Sequence, residues 1–587
     1  MSKMPTSLEP AGENAWPAAS AHEVRSRLTA PGAQFEMDIA DINGIPTRVW
    51  KHALPSLAAL LNESRGHGRR IFTVFEQERV SYEGFYLAVT VLFRHLQDQG
   101  VQKGDRIAIA MRNLPEWPVA FFAIACLGAI AVPLNGWWTG PELTYGLADS
   151  GARILLCDGE QFKKIKTLLP TLPALEHCIV SRADAEIHDG TVSLESVIGP
   201  SSAWHRLPEV EFSPVKMATD EPATIFYTSG TTSKPKGAVG SQRSILTNVV
   251  SKNYFNAFTA LRRGEALPLV KPSVILLAVP MFHVTGCHAT LMPAIASGST
   301  LVLMRKWDAS MALDLIERER IESTGGVPTI AWQLAEHPDR EKYDLSSLKS
   351  LSYGGAPASP ELVRVISTNL GILPRYGYGM TELAATVTNH GGEDYEHRPA
   401  SCGLAVAVTD LAIRSVDNSL DLPIGEVGEL WVRGPQAALG YWQNPAATAS
   451  TFVDGWVKTG DLARLDDEGF CYIVDRAKDI IIRGGENIYS SEVESVLYEH
   501  PAISDAALVG IPHRTLGEQP AAVVQIVSGK TITESELKDW LAERLTAFKV
   551  PVKIIFAETP LPRNAGGKIL KKDLKALFSE GRDEAHG

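Results

Sequence analysis

The chain has 587 residues and a formal net charge of −12, from 56 Lys and Arg against 68 Asp and Glu. With 45% hydrophobic and 21% charged residues it has the composition of a globular protein long enough for several cores. The length excludes a mini-protein held by staples, and the acidic balance argues against a general nucleic-acid binder, which carries a basic face.

Six cysteines stand at 126, 157, 178, 287, 402 and 471, with no CxxC pair. That excludes a zinc framework of the usual spacing and a disulfide scaffold, and a reducing compartment such as the cytoplasm is expected. The longest apolar run, Ala120 to Leu134, is broken by Gly128 and Pro133. It is too short to span a bilayer and reads as a buried helix followed by a strand. A peripheral membrane contact through a surface helix stays open. The N-terminus is rich in Ala, Pro and Ser and lacks a signal-peptide pattern, so residues 1–44 are expected to be a flexible tail.

From Ile45 onward helical periods alternate with short β-rich runs. Leu57–Leu61 and Phe85–His95 read as helices, and 106–110, 154–157, 274–279 and 300–303 as strands. Non-alternating apolar strands separated by helices predict parallel sheets covered on both faces. Beyond Leu404 the texture turns β-rich, with a run at 425–432, and predicts a separate barrel-like β layer. A charged stretch, Asp475-Arg476-Ala477-Lys478-Asp479, precedes a compact α+β pattern of about 110 residues. The fold class expected is therefore α/β. A large domain, 45–477, carries helix-flanked parallel-type sheets and the β layer, and a small α+β domain follows, 478–587.

The most informative segment is Tyr227-Thr228-Ser229-Gly230-Thr231-Thr232-Ser233-Lys234-Pro235-Lys236-Gly237, which follows a strand-like run, 223–226. Its hydroxyls, glycines and lysines can present several donors to an anion. It is not a Walker A loop, because Pro235 stands where the second glycine would be. Four further segments draw attention: Tyr376 to Glu382, a glycine-hinged aromatic loop ending in a carboxylate; Thr459-Gly460-Asp461, a turn; Gly484-Gly485-Glu486-Asn487; and Lys568 after a glycine pair. Each alone reads as a turn or a solvated loop.

In this order and at these separations the segments resemble the adenylate-forming superfamily, and within it the AMP-forming acyl-CoA synthetases. The resemblance runs from Ser56 to Lys575 and includes Pro280 to Gly286 and Gly354-Gly355-Ala356-Pro357. Two positions depart from the family pattern: Ser233 where glycine is usual, and Gln242 where histidine is usual. The resemblance implies a two-step reaction with ATP, Mg²⁺ and coenzyme A. A carboxylate attacks the α-phosphorus to give acyl-AMP and pyrophosphate, and the thiol of CoA then displaces AMP. No GxSxG elbow is present, in keeping with catalysis by positioning and charge rather than by a covalent nucleophile.

The family pattern implies roles by position. Thr228, Ser229, Gly230, Thr231 and Thr232 would hold the β- and γ-phosphates, with Lys236 adding charge. Tyr378 would pack on adenine, Thr381 would contact the α-phosphate and Glu382 would hold Mg²⁺. Asp461 would take the ribose hydroxyls with Arg476 beside it. Lys568 would bridge the attacking carboxylate and the α-phosphate. The small domain would turn about Lys478, presenting either Lys568 or the pantetheine channel at Gly484, Gly485, Glu486 and Asn487. The acyl pocket would be lined by His283, Val327, Gly354, Gly355, Ala356 and Ala384. These are mostly small or apolar, and no fixed charge is read beside them. A medium- or long-chain fatty acid is therefore expected, with aryl acids as the nearest competitor. A non-catalytic nucleotide or CoA sensor on the same scaffold is the reading from another class. No carrier segment follows Lys575, which favours free CoA as acceptor. Monomer and homodimer are both compatible with the sequence.

Overall fold

The computed structural model describes residues 16–183, 191–228, 234–355, 358, 360–415, 420–484, 486–527, 529–563 and 569–578. Ser229, Gly230, Thr231, Thr232, Ala356, Gly485 and Lys568 lie outside the described residues.

Two large mixed sheets flanked by helices form most of the molecule. The first contains, in spatial order, strands Lys236–Ser241, Pro222–Thr228, Ile130–Pro133, Arg106–Ala110, Ile154–Asp158, His177–Ser181 and Thr191–Ser193. All neighbours are parallel except the first pair, an antiparallel hairpin at the edge. The second sheet is centred on parallel strands Arg375–Tyr378, Ser350–Gly354, Ser323–Gly326, Val274–Leu277, Thr300–Leu303 and Ile71–Phe75. Antiparallel strands close it on both sides, including Thr388–Gly391. Helix Glu116–Cys126 is buried at every position, as its apolar run from Trp117 onward requires, and the buried Glu116 at its start pairs with Arg182 at 2.8 Å.

A third, antiparallel sheet contains Asp410–Arg414, Gly428–Arg433, Phe452–Val453, Trp456–Leu465 and Cys471–Arg476. Its last strand ends at Arg476, and the first strand of the final sheet begins at Ile481. That final sheet joins Ile481–Arg483, Glu486–Ile488, Ile503–His513, Gly517–Ile526 and Lys553–Phe556 around its own core of Val493, Leu497, Leu508, Val524, Leu537 and Leu541.

The long helix Gln242–Arg262 starts in a capping box, in which Ser241 and Ser244 exchange side-chain-to-backbone hydrogen bonds at 2.9 and 3.1 Å. It follows the edge strand Lys236–Ser241 directly and packs against the second sheet. Gln242 is buried and accepts the Leu57 N–H at 2.9 Å, so this departure from the family pattern serves as a helix-to-helix tie.

The expectation of a flexible tail through residue 44 is corrected from residue 16 onward. Ala21–Thr29 is a helix with a Ser20–Glu23 capping box, and Met37–Ile42 pairs with Ile45–Trp50. Val24, Leu28, Phe35 and Trp50 are buried against Tyr254, Phe255 and Phe258 of the long helix. Arg262 locks this contact, donating to the Ala19 carbonyl at 2.7 Å and pairing with Asp394 at 2.7 Å. Composition could not show this because the partner lies more than 200 residues away.

Candidate active site

The loop of sequence interest joins the edge strand Lys236–Ser241 to its antiparallel neighbour Pro222–Thr228, with Thr228 opposite Lys236 in register. The hairpin is tight: an added Cβ at Gly237 would lie 2.5 Å from Ile225 Cγ2. The segment around Tyr441 runs along its outer edge. Leu439 N–H donates to the Val239 carbonyl at 2.8 Å, and Trp442 N–H to that of Gly237 at 2.7 Å. This long-range pairing places the Lys236 ammonium 4.6 Å from the Tyr441 ring centre, in cation–π range.

Tyr441 in turn donates its hydroxyl to Glu382 Oε1 at 2.7 Å. Burial and the adjacent carboxylate push the Tyr441 phenol well up, so it stays a neutral donor. Glu382 is buried, and its carbonyl accepts the Ala438 N–H at 2.8 Å. Lys236, Tyr441 and Glu382 thus form one cluster. Tyr441 carried no motif in the sequence; only strand pairing brings it here.

Tyr376 and Tyr378 lie on the strand Arg375–Tyr378, so the loop proper begins at Gly379, a correction to the sequence expectation. The loop turns sharply through a short 3₁₀ segment, Thr381–Leu383, and then through two alanines with positive φ, Ala384 at 46° and Ala385 at 105°. Such backbone costs of order 1–3 kcal/mol per residue unless its surroundings over-determine it. Here they do. Asn248 of the long helix donates to the Ala384 carbonyl at 2.8 Å and accepts the Thr386 N–H at 3.2 Å. His288 Nδ1 lies 3.3 Å from the same Ala384 carbonyl. A Cβ on Gly379 would lie 1.4 Å from the Ala385 oxygen, so only glycine permits this crossing. Burial drives the His288 pKa down to about 3, so the ring is neutral and Nδ1 donates. Sequence reading missed Asn248 and His288.

At the other end of this loop, Tyr378 donates to Asp461 Oδ2 at 2.6 Å, and Arg476 Nε donates to Asp461 Oδ1 at 2.9 Å. Asp461 and Arg476 are cross-strand partners. Thr459-Gly460-Asp461 is therefore not a free turn but part of the strand Trp456–Leu465, with Gly460 at φ 70° beside a register shift. Burial works against the Arg476 charge, but Asp461 chiefly, with Tyr378, Asp479 and Glu382, holds its pKa above the ordinary value. Burial and Asp461 push the Tyr378 phenol well up. A neutral phenol and a cation thus orient one buried carboxylate that keeps lone pairs for further donors.

His283 precedes the short helix Val284–Gly286, and Val327 precedes the helix Pro328–Ala335. Gly354 and Gly377 are strand partners packed so closely that a Cβ on Gly354 would lie 2.5 Å from the Gly377 oxygen. Gly355 has φ 76°, with open space at its Cβ position. Gly484, at φ 61°, and Glu486 and Asn487, both exposed, belong to the hairpin of the final sheet. Lys478 is exposed in the turn between the third and final sheets. Lys252 lies one helical turn beyond Asn248, and Arg375 three residues before Tyr378.

Among the described residues no group of three or more His, Cys, Asp or Glu could hold a metal ion. The buried Glu382 carboxylate, tied through Tyr441 to Lys236, fits Mg²⁺, which takes one or two carboxylates and completes its shell with phosphate and water oxygens. All six cysteines are free and buried, and no helix among the described residues is long and apolar enough to cross a membrane.

Comparison with known proteins bears on this geometry. Residues 61–442 match the AMP-binding enzyme family, and 492–568 match the AMP-binding enzyme C-terminal domain. A feruloyl-CoA synthase from Amycolatopsis sp is 34% identical over 504 residues, covering 85% of this chain and 94% of its own length. The long-chain-fatty-acid–CoA ligase FadD13 of Mycobacterium tuberculosis is 34% identical over 490 residues, covering 82% and 89%. The solved o-succinylbenzoate CoA synthetase from Bacillus subtilis, in complex with an acyl-adenylate intermediate, superposes with a TM-score of 0.73 at 29% identity, covering 89% of this chain and 98% of its own. The chain belongs to the AMP-binding enzyme family.

Proposed function

We propose that this AMP-binding enzyme is an AMP-forming acid–CoA ligase. The observation that carries the reading is the single loop joining two prepared clusters. Tyr378, Asp461 and Arg476 stand at one end, and Glu382, Tyr441 and Lys236 at the other. An adenosine at the first and a polyphosphate at the second would place the α-phosphorus over Thr381.

In the first step a carboxylate oxygen attacks that phosphorus, forming the acyl–phosphate bond while the bond to pyrophosphate breaks. Thr228, with Ser229, Gly230, Thr231 and Thr232, receives the departing phosphates, and Lys236 offsets their charge. Tyr378 packs on adenine, and Asp461, held by Arg476, accepts the ribose hydroxyls. Glu382 would hold Mg²⁺, which would supply charge neutralisation. Lys568 brings the two anions together. In the second step the CoA thiolate attacks the acyl carbonyl, and AMP leaves with the electron pair. Gly484, Gly485, Glu486 and Asn487 line the thiol's approach after the small domain, 478–587, turns about Lys478. The free thiols support a cytoplasmic location.

His283, Val327, Gly354, Gly355, Ala356 and Ala384 are assigned to the acyl pocket. The fatty-acid reading is supported by these small and apolar residues and by the fatty-acid ligase among the relatives. The aryl reading is supported by Gly355, which leaves open space at its Cβ position, and by the feruloyl-CoA synthase. The test is product analysis with a panel of fatty and aryl acids. Acyl-AMP and pyrophosphate are expected from acid and ATP without CoA, and acyl-CoA and AMP once CoA is added. ADP and phosphate as products, or no acid-dependent turnover, would sink the reading.

A further inference from the structure

Lys252 is the one exposed residue of the helix Gln242–Arg262, and half-buried Asn256 and Thr259 follow it at i+4 and i+7. These positions share one helix face. Opposite lies a sheet face of small and polar residues. Gly325, Ser352, Arg375 and Gly391 are successive cross-strand partners, as are Gly354, Gly377 and Asn389. Paired residues project to the same side, so Arg375 is the one long side chain in these two rows. It passes over Gly391, where a Cβ would lie 2.6 Å from Arg375 Cγ, and its Nη1 donates to Asn256 Oδ1 at 2.5 Å.

Lys252 makes no ion pair or hydrogen bond with another described residue. The nearby carboxylates are taken: Glu393 pairs with Arg263 at 2.5 Å and Asp394 with Arg262 at 2.7 Å. The Lys252 ammonium meets solvent, yet surrounding protein lowers its pKa to about 8, with Arg375 adding to the fall. Burial also lowers Arg375, with Arg263 contributing. Two neighbouring cations, linked through Asn256 and without a carboxylate between them, are the environment a bound anion relieves. In the ligase reading above, Arg375 lies farther down its strand than the turn after Tyr378 where the acid reacts. Arg375 stands three residues down its strand from Tyr378, about 10 Å at 3.3 Å per residue.

We propose that the acid this enzyme activates carries a second anionic oxygen group at its far end, held by Lys252 and Arg375, with the two acidic groups roughly 7–10 Å apart. A diacid of aromatic or short aliphatic type meets that description; a plain alkyl chain would leave both cations unpaired. The proposal rests on the ligase reading above and narrows its substrate.

The test compares matched pairs, octanoate with suberate and cinnamate with 4-carboxycinnamate, by pyrophosphate release and acyl-CoA formation in the full-length enzyme. The wild type is expected to favour each diacid at least tenfold in kcat/KM. Lys252→Met is expected to reverse that ratio tenfold or more, chiefly through KM, while Lys252→Arg retains it. A melting curve close to that of the wild type would show that the Met variant is folded. Preference of the wild type for the monoacids, or a ratio unmoved in Lys252→Met, overturns the proposal. Acyl-CoA from none of the four acids, nor from any of the wider panel, overturns the ligase reading itself.

Discussion

Glu382 accepts the Tyr441 hydroxyl and is proposed as the carboxylate that faces the phosphates. Glu382→Gln keeps the size and a hydrogen-bond acceptor but removes the charge. Adenylation is expected to fall by roughly 10²–10³-fold, with little change in melting temperature. Near-normal acyl-AMP formation at low Mg²⁺ would contradict the assignment. His288 provides a pH signature. Its folded-state pKa is about 3 against an ordinary 6.5. The unfolded chain therefore takes up a proton before the folded one as pH falls, so stability is present above pH 6.5 and lost between 6.5 and 3. The loss from this residue at pH 5 is about 2 kcal/mol. His390, lowered to the same value by burial, adds a similar slope. His288→Gln is expected to flatten the dependence of melting temperature on pH between 6.5 and 5; curves parallel to the wild type would refute this. The charged residues of the Lys236–Tyr441–Glu382 cluster were legible because Lys236 and Glu382 sit in dense local motifs. Tyr441 was not, since its role comes from pairing across about 200 residues.

The element that most constrains the site is the helix Gln242–Arg262. Asn248 holds both sides of the strained Ala384–Ala385 turn. Asn248→Ala removes both bonds and leaves the Thr386 N–H short of a partner, at a cost of about 2–3 kcal/mol. Thermal melting is expected to drop, and adenylation to fall more than thioester formation from supplied acyl-AMP. Equal loss in the two halves would mean that Asn248 only supports the fold. Strands of the buried sheets were legible almost to the residue, as at 106–110 and 300–303, because such strands are continuous apolar runs. Asp461 was legible as a carboxylate but not as a strand residue. A glycine that marks a bulge looks the same in sequence as one that marks a turn. The helix Ala21–Thr29 was hidden for a different reason: its apolar stripe is short, and its partner is remote.

At the scale of the whole molecule, the proposed pivot at Lys478 is bracketed by hydrogen bonds that cross it. The Asp475 carboxylate accepts the Ser490 N–H, Ser491 donates its hydroxyl to the Val474 carbonyl, and Lys571 pairs with Glu494 at 2.7 Å within the final unit. A rotation about Lys478 must exchange the first two for another set while the third travels intact, which is the form of a switch between two docked states. Motif order made both units and the junction between them readable in the sequence; which bonds bridge the junction was not, since Ser490 and Ser491 belong to no motif.

The most direct test of the two-step account separates the half-reactions in Lys568→Ala. One assay supplies acid, ATP and Mg²⁺ and measures acyl-AMP; the other supplies acyl-AMP and CoA and measures acyl-CoA. Loss of the first by roughly 10²-fold or more, with the second largely retained, is the predicted result. Equal loss of both, or wild-type behaviour in both, would contradict it.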